Sequence, residues 1–67
     1  MKRDLINFGK RVKVLRKGLN LTQVQLAATV DVDVRTIKSI EAGKSNVTLN
    51  LIYKLAEALE IHIKDLF

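Results

Sequence analysis

Apolar residues recur three or four positions apart along almost the whole chain, and no proline interrupts the pattern. This spacing puts the apolar side chains of each helix in one stripe, which a folded chain buries in its core. The chain has 67 residues and only three glycines, so short turns separate the predicted helices. The pattern predicts an all-α fold with a single domain over residues 1–67, because a chain this short forms one core.

Four helices and one last helical turn are predicted, at about residues 4–17, 22–30, 33–41, 48–59 and 63–67. Their apolar stripes define a candidate core of Leu5, Phe8, Val12, Leu15, Leu26, Ala27, Val30, Val32, Ile37, Leu49, Ile52, Leu55, Ala56 and Leu59. A core of this size supplies only about 3–5 kcal/mol of stability. Because the chain has no cysteine, disulfides add nothing, and association with a second copy is the remaining source of stability.

Capping signals mark the starts of the two central helices. Thr22 and Gln25 fit the capping box, in which the Thr hydroxyl accepts from a helix amide and the Gln side chain returns to the cap. Asp33 is a good N-cap for the next helix. Two short helices on either side of a turn at residues 31–33, with the small Ala27 where they approach, predict a helix-turn-helix at about residues 22–41.

The charge of the chain is unevenly distributed. The net charge is +5, and residues 1–17 carry seven basic side chains against the single acid Asp4. Such a field attracts polyanions, so nucleic acid is the first expected partner and an anionic membrane surface, through residues 3–17, the second. A solvated helix face is the third explanation. No apolar run is long enough to span a bilayer and no secretory signal follows Met1, so we expect a cytoplasmic protein.

Residues that carry chemistry are scarce. There is no cysteine, no nucleophile and base pair, no carboxylate dyad and no glycine-rich phosphate loop. The single histidine, His62, has no nearby Cys or paired acid, and we interpret it as structural. We therefore expect no catalytic residues, no metal, no cofactor and no small-molecule ligand.

Three stretches of the chain carry a family resemblance: LRKGLNLTQVQLA (residues 15–27), DVDVRTIKSIEAGKS (residues 31–45) and TLNLIYKLAEALEIHIKDLF (residues 48–67). From Phe8 to Phe67 the chain resembles the Cro/repressor family of helix-turn-helix domains, also called the xenobiotic-response-element type. The resemblance implies a compact five-helix fold of the lambda-repressor type. It also implies a transcriptional regulator that binds double-stranded DNA, is not an enzyme, and places helix 33–41 in the major groove.

The same resemblance implies roles for individual side chains. The positions that reach base edges correspond to Val34, Arg35, Lys38 and Ser39, and those that contact phosphates correspond to Gln23, Lys44, Ser45 and Asn46. Arg16 and Glu41 stand where the family has a structural ion pair, with two independent surface charges as the alternative. Asn20, Asp31 and Glu60 replace glycines of the family pattern, and of these Glu60 accepts left-handed backbone least readily.

The chemistry of some of these side chains also permits other roles. Arg35 suits a bidentate contact with guanine O6 and N7, but could contact a phosphate or remain solvated. Val34 could meet a thymine methyl or lean on the core. Lys38 favours phosphate over a base, and Gln23 could simply occupy the first helical turn.

Apolar residues near the carboxyl terminus exceed what one small core covers. We assign Leu51, Tyr53, Ala58, Ile61, Ile63 and Phe67 to a homodimer interface. A two-fold dimer would place its two copies of helix 33–41, the recognition helix, one turn of DNA apart on a roughly palindromic operator. The alternative is that the tail folds back onto its own core.

The resemblance leaves the biological subtype open among phage repressors, antitoxins and restriction-modification controller proteins, with the compact tail most like the last. All of these are bacterial or phage-encoded, so the protein is expected at the nucleoid. A protein-interaction module, such as an antitoxin or adaptor, is the alternative function with the same fold. Its recognition-helix face should be more apolar than one that carries Arg35, Lys38 and Ser39.

Overall fold

The computed structural model describes residues 2–67, which form four α-helices and a final turn of 3-10 helix. The elements are α1 (Lys2–Gly18), α2 (Gln23–Val30), α3 (Val34–Glu41), α4 (Leu49–Ala58) and the 3-10 helix (Ile63–Leu66). No strand occurs within these residues, so the predicted all-α class is confirmed. The elements begin and end within about two residues of the predicted bounds, and the last helical turn is of the tighter 3-10 type.

The buried side chains form a single cluster. α2 packs against both α3 and α4, while α1 packs against α3 and the 3-10 helix. The cluster consists of Phe8, Val12, Leu26, Ala27, Val30, Ile37, Ile40, Leu55, Ala56, Leu59 and Leu66. Every element thus contributes to the core, and α3 is fixed from one side by α1 and from the other by α2.

Side-chain caps begin α2, α3 and α4 where the sequence predicts them. The hydroxyl of Thr22 accepts from the Gln25 amide at 3.0 Å, and Gln25 Oε1 accepts from the Thr22 amide at 2.8 Å, which completes the capping box. Asp33 Oδ1 accepts from the Arg35 amide at 2.8 Å, and Thr48 Oγ1 from the Leu51 amide at 3.1 Å. Each cap satisfies an amide that has no partner inside its helix, which fixes where the helix starts.

Three non-glycine residues adopt left-handed backbone at the turns. Asn20, Asp31 and Glu60 have φ of 60°, 58° and 60°, at the positions where the family pattern has glycine. The left-handed Asp31 ends α2, with its amide directed at the carbonyls of Ala27 and Ala28. Glu60 adopts the same conformation although its side chain disfavours it, so the turn geometry before the last segment is retained.

The predicted core is wrong at one position, only half-buried at four, and lacks two residues that the structure buries. Leu49 lies in line with Ala56 on α4, but it is the first residue of the helix and its side chain is 64% exposed, so the core ends before it. Leu5, Leu15, Val32 and Ile52 are half-buried. Ile40 and Leu66 are buried, although the predicted core does not include them.

A close backbone approach joins α1 to the end of α3. A Cβ built on Gly9 would lie 2.2 Å from the Ile40 carbonyl oxygen and 3.0 Å from the Glu41 carbonyl oxygen. Only glycine leaves room for this contact, because real Cβ atoms do not come so near a backbone oxygen. Gly9 therefore sets the distance between α1 and α3.

Candidate nucleic-acid interface

Helix α3 presents a polar, basic face opposite its buried one. Ile37 and Ile40 are buried in the core, whereas Arg35 and Lys38 are exposed and Ser39 is half-buried. A helix anchored on one side by large apolar side chains holds its exposed residues in fixed positions. Three of the four predicted base-contacting side chains thus lie on or beside one accessible surface.

The fourth predicted base contact, Val34, has an environment intermediate between the two predicted ones, a contact with DNA and a contact with the core. Its side chain is half-buried and packs against the core cluster. Part of the Val34 side chain therefore helps to anchor α3 to the core, and only its remaining surface is available to a partner.

The loop after α3 is connected to the helix through two serines. The hydroxyls of Ser39 and Ser45 form a short hydrogen bond, and the Lys44 amide donates to the Ser39 carbonyl at 3.0 Å. Lys44 and Asn46 are exposed, and Ser45 is half-buried. The structure thus brings the predicted phosphate-contacting loop beside the exposed face of α3.

Gly43 allows this loop to pass close to α1. Its φ is +72°, and a Cβ built on it would lie 2.8 Å from Ile6 Cα and from Ile6 Cγ1. A larger residue would be strained by its backbone and would also clash with α1. The loop is therefore held close to both α1 and α3.

Arg16 and Glu41 form an ion pair between α1 and α3. Arg16 Nε donates to Glu41 Oε2 at 2.7 Å and Nη2 donates to Oε1 at 3.0 Å, while Nη1 donates to the Leu21 carbonyl at 2.7 Å. The two side chains are only 7% and 4% exposed. The hydrogen bonds that Arg16 donates to Glu41 raise the pKa of Arg16 above its usual value, so the guanidinium is charged at any relevant pH.

Gln23, at the start of α2, joins the same carboxylate. Its Nε2 donates to Glu41 Oε1 at 3.1 Å, and its side chain is half-buried. An amide nitrogen carries two hydrogens, so this bond leaves one N–H and the amide oxygen of Gln23 for another partner. The predicted phosphate contact thus lies next to the Arg16–Glu41 pair and is oriented by it.

Asp33 pairs with Arg35 across one residue of α3. Arg35 Nε donates to Asp33 Oδ1 at 3.2 Å and Arg35 Nη2 donates to Oδ2 at 3.1 Å. The hydrogen bonds from the Arg35 side chain and amide lower the pKa of Asp33, and the same carboxylate raises the pKa of Arg35. Both groups are therefore charged near neutral pH.

Sequence reasoning missed three of these connections. The sequence predicts Asp33 only as a cap, Gln23 as a phosphate contact or a residue of the first helical turn, and Ser39 and Ser45 as separate contacts. The spacing of Asp33 and Arg35 was a local signal that could have revealed their pair. The other two connections join residues 18 and 6 positions apart, and no local pattern encodes them.

The predicted dimer residues divide into two groups. Leu51, Ala58, Ile61 and Ile63 are partly buried and pack against the core of their own chain. Tyr53 and Phe67 are 56% and 73% exposed, and the Phe67 ring stacks on Phe8 with centroids 5.2 Å apart. Exposed Leu49 is four residues before Tyr53 and so shares its face of α4.

The basic helix α1 contacts the C-terminal 3-10 helix through a side chain. Arg11 Nε donates to the Asp65 carbonyl at 3.2 Å, so one of the basic side chains of α1 takes part in a structural contact. Between residues 2 and 67, no helix is both long enough and apolar enough to cross a membrane.

Comparisons with known proteins agree with this arrangement. A family model described as "Helix-turn-helix" matches residues 12–66. An HTH-type transcriptional regulator of Archaeoglobus fulgidus is 42% identical over 57 residues, 85% of this chain and 80% of that protein. The control protein C.MunI of a Mycoplasma species is 41% identical over 63 residues, 92% of this chain and 85% of that protein.

A solved structure is similar over nearly the whole chain. The crystal structure of the restriction-modification controller protein C.AhdI from Aeromonas hydrophila matches with a TM-score of 0.94 and 40% identity, and the match covers 97% of this chain and 98% of that one. The all-helical fold and the exposed basic face of α3 define a DNA-binding domain. The chain belongs to the helix-turn-helix family of DNA-binding transcriptional regulators, of the Cro/repressor type that its sequence resembles.

Proposed function

We propose that the protein regulates transcription by inserting α3 into the major groove of a specific, roughly palindromic operator. The observation that carries this proposal is the shared surface formed by α3, the loop after it and the start of α2. Exposed Arg35 and Lys38 lie on a helix whose opposite face is locked in the core, with Lys44 and Asn46 on the adjoining loop. The major groove of B-DNA admits an α-helix of this kind and presents a distinct pattern for each base pair.

The side chains on this surface divide the work between affinity and specificity. Gln23, Lys44, Ser45 and Asn46 contact phosphates and fix the orientation of the domain on the duplex. Arg35, with help from Lys38, Ser39 and the accessible part of Val34, contacts base edges. The net charge of +5 adds a long-range attraction, so we expect affinity to fall as salt rises.

We further propose that the protein is a controller of a restriction-modification system, and that binding, not catalysis, is its activity. The support is the similarity to two proteins with that kind of name, the control protein C.MunI and the restriction-modification controller protein C.AhdI. The two matches cover 92% and 97% of the chain.

Selection of duplexes from a random-sequence pool at near-physiological salt tests the proposed function. We expect enrichment of a two-fold symmetric motif whose half-sites lie about one helical turn apart. Folded protein that enriches no motif would contradict sequence-specific binding and favour a protein-interaction module.

Replacing Arg35 with alanine should weaken binding to the selected duplex by about 10- to 100-fold and relax the preference at one base pair. The loss on a scrambled duplex should be much smaller, because a base contact contributes little there. Fluorescence anisotropy on both duplexes measures the two losses. The control is Lys54→Ala, which removes one positive charge at an exposed position of α4 and should leave the preference unchanged. Equal losses on both duplexes would make Arg35 a phosphate contact.

We propose that two copies associate through the large side chains that α4 and the tail leave exposed, Leu49, Tyr53 and Phe67. Leu49, Tyr53 and Phe67 are large apolar or aromatic side chains left in solvent by the fold of one chain. A two-fold axis through this surface would bury them and match a two-fold operator.

Sedimentation equilibrium at tens of micromolar should give twice the 7.6 kDa mass of one chain. Tyr53→Glu should shift the mass toward that of a single chain, because it places an unpaired charge in the interface. Lys54→Glu changes the neighbouring exposed residue and serves as the control. A wild-type mass equal to one chain would rule out the dimer.

A further inference from the structure

We propose that Asp33 is a positioning residue for DNA reading: its carboxylate holds the Arg35 guanidinium in the orientation that meets a guanine. The inference rests on the proposed function, since it assumes that α3 enters the major groove. It assigns to Asp33 a second task beyond capping, namely setting the base preference without contacting the base.

The pair has a defined geometry. Asp33 Oδ1 accepts from Arg35 Nε at 3.2 Å and Oδ2 accepts from Arg35 Nη2 at 3.1 Å, so the carboxylate lies along one edge of the guanidinium plane. A guanidinium is rigid and planar, so two such bonds fix the direction of the whole group. The orientation of Arg35 is thus determined by the start of its own helix.

The hydrogen bonds that remain free are those that guanine requires. A guanidinium has five N–H donors, and Asp33 engages one on Nε and one on Nη2. Both hydrogens of Nη1 and the second hydrogen of Nη2 remain, and they point away from the carboxylate. This free end can donate side by side to O6 and N7 of one guanine.

Asp33 can hold an exposed arginine because its carboxylate is already fixed. Exposed ion pairs are usually weak, in part because two flexible side chains must both be ordered. Here the capping bond from the Arg35 amide to Oδ1, at 2.8 Å, orders the carboxylate before the guanidinium arrives. Only the Arg35 side chain, which is 86% exposed, loses freedom when the pair forms.

The negative charge of Asp33 also disfavours the wrong contacts. The carboxylate lies beside Arg35 at the start of α3, where it would face the strongly negative DNA. To bend toward a phosphate, Arg35 would have to give up its two bonds to Asp33, and the fixed carboxylate would be left unpaired beside the DNA. Asp33 therefore favours base contact over backbone contact, which lowers affinity for random DNA and raises specificity.

The first test is Asp33→Asn, which retains the cap because Asn and Asp cap helices equally well. The readout is a specificity ratio: the Kd for a duplex with the Arg35-dependent guanine replaced, divided by the Kd for the selected duplex. We expect this ratio to fall about tenfold, because one orienting bond and the charge are lost. Affinity for the scrambled duplex should be unchanged or higher. Asp33→Ser, which also caps, should behave in the same way.

The second test is a double-mutant cycle with Arg35→Ala. The readout of the cycle is the Kd for the scrambled duplex divided by the Kd for the selected duplex, which stays above one without Arg35 because the other contacts remain. If Asp33 acts through Arg35, Asp33→Asn should lower this ratio when Arg35 is present and leave it unchanged once Arg35 is absent. Glu57→Gln, which removes one negative charge from exposed α4, is the control and should not change the ratio. Thermal unfolding of each variant confirms that the comparison is made on folded protein.

The outcomes separate this inference from the proposed function. A wild-type protein without any preferred duplex overturns both. A selective wild type whose Asp33→Asn and Asp33→Ser variants keep the full ratio overturns the positioning role alone. The same holds if Asp33→Asn lowers the ratio equally with and without Arg35, since the effect would then pass through another residue.

Discussion

Replacing Arg16 with alanine is expected to lower the free energy of unfolding by about 3–5 kcal/mol, which approaches the whole stability of so small a domain. The change removes three hydrogen bonds at once, two to Glu41 and one to the Leu21 carbonyl. Glu41 would be left as a nearly buried carboxylate with only the Gln23 amide as donor. Circular dichroism at 222 nm during heating measures the loss, and DNA binding should weaken with it.

Two variants show whether burial of the pair causes this loss. Arg35→Ala breaks an exposed ion pair and should change the melting temperature little. The double variant Arg16→Met with Glu41→Leu removes both charges, and it should be more stable than Arg16→Ala because no charge is left buried alone. An Arg16→Ala protein that melts like the wild type would show that the pair contributes nothing to the fold.

Replacing Gly9 with alanine is expected to lower the melting temperature by about 10–20 °C, equivalent to about 2–3 kcal/mol. The new Cβ would fall 2.2 Å from the Ile40 carbonyl oxygen, so α1 and α3 would have to separate. The oxygen belongs to the backbone and cannot rotate away as a side chain could. The same shift would disturb the Arg16–Glu41 bonds, which join the same two helices.

Gly18 provides the matched control for Gly9. Both glycines lie in α1, but no atom outside the local chain lies within 4 Å of a Cβ built on Gly18. Gly18→Ala should therefore leave the melting temperature unchanged or raise it slightly, because alanine favours helix. Equal melting temperatures for Gly9→Ala and Gly18→Ala would contradict the close approach of α1 to α3.

The positions of the helices could be predicted from local chemistry. Thr22, Asp33 and Thr48 each cap a helix through bonds that span two or three residues, so their effect is visible in the order of residues alone. The left-handed turns at Asn20 and Asp31 were equally accessible, because these side chains tolerate a conformation that most do not.

The details of the core and interface depend on contacts that periodicity does not contain. Leu49 continues the apolar stripe of α4, yet it is exposed because the core ends before the first residue of the helix. The need for glycine at position 9 arises from the backbone of α3, 31 residues further along the chain. The bond from Gln23 to Glu41 likewise exists only once α2 and α3 have packed together.

The sharing of one carboxylate by three helices has a mechanical consequence. Glu41 at the end of α3 binds Arg16 of α1 and Gln23 of α2, so the proposed phosphate contact and the recognition helix belong to one stiff frame. Because this frame is stiff, the distance between the proposed phosphate contact at Gln23 and the base-reading face of α3 is fixed. The protein therefore fits best a groove in which the phosphates and the base edges are separated by that distance. Operators whose groove has the matching width would be favoured even at base pairs that no side chain reaches.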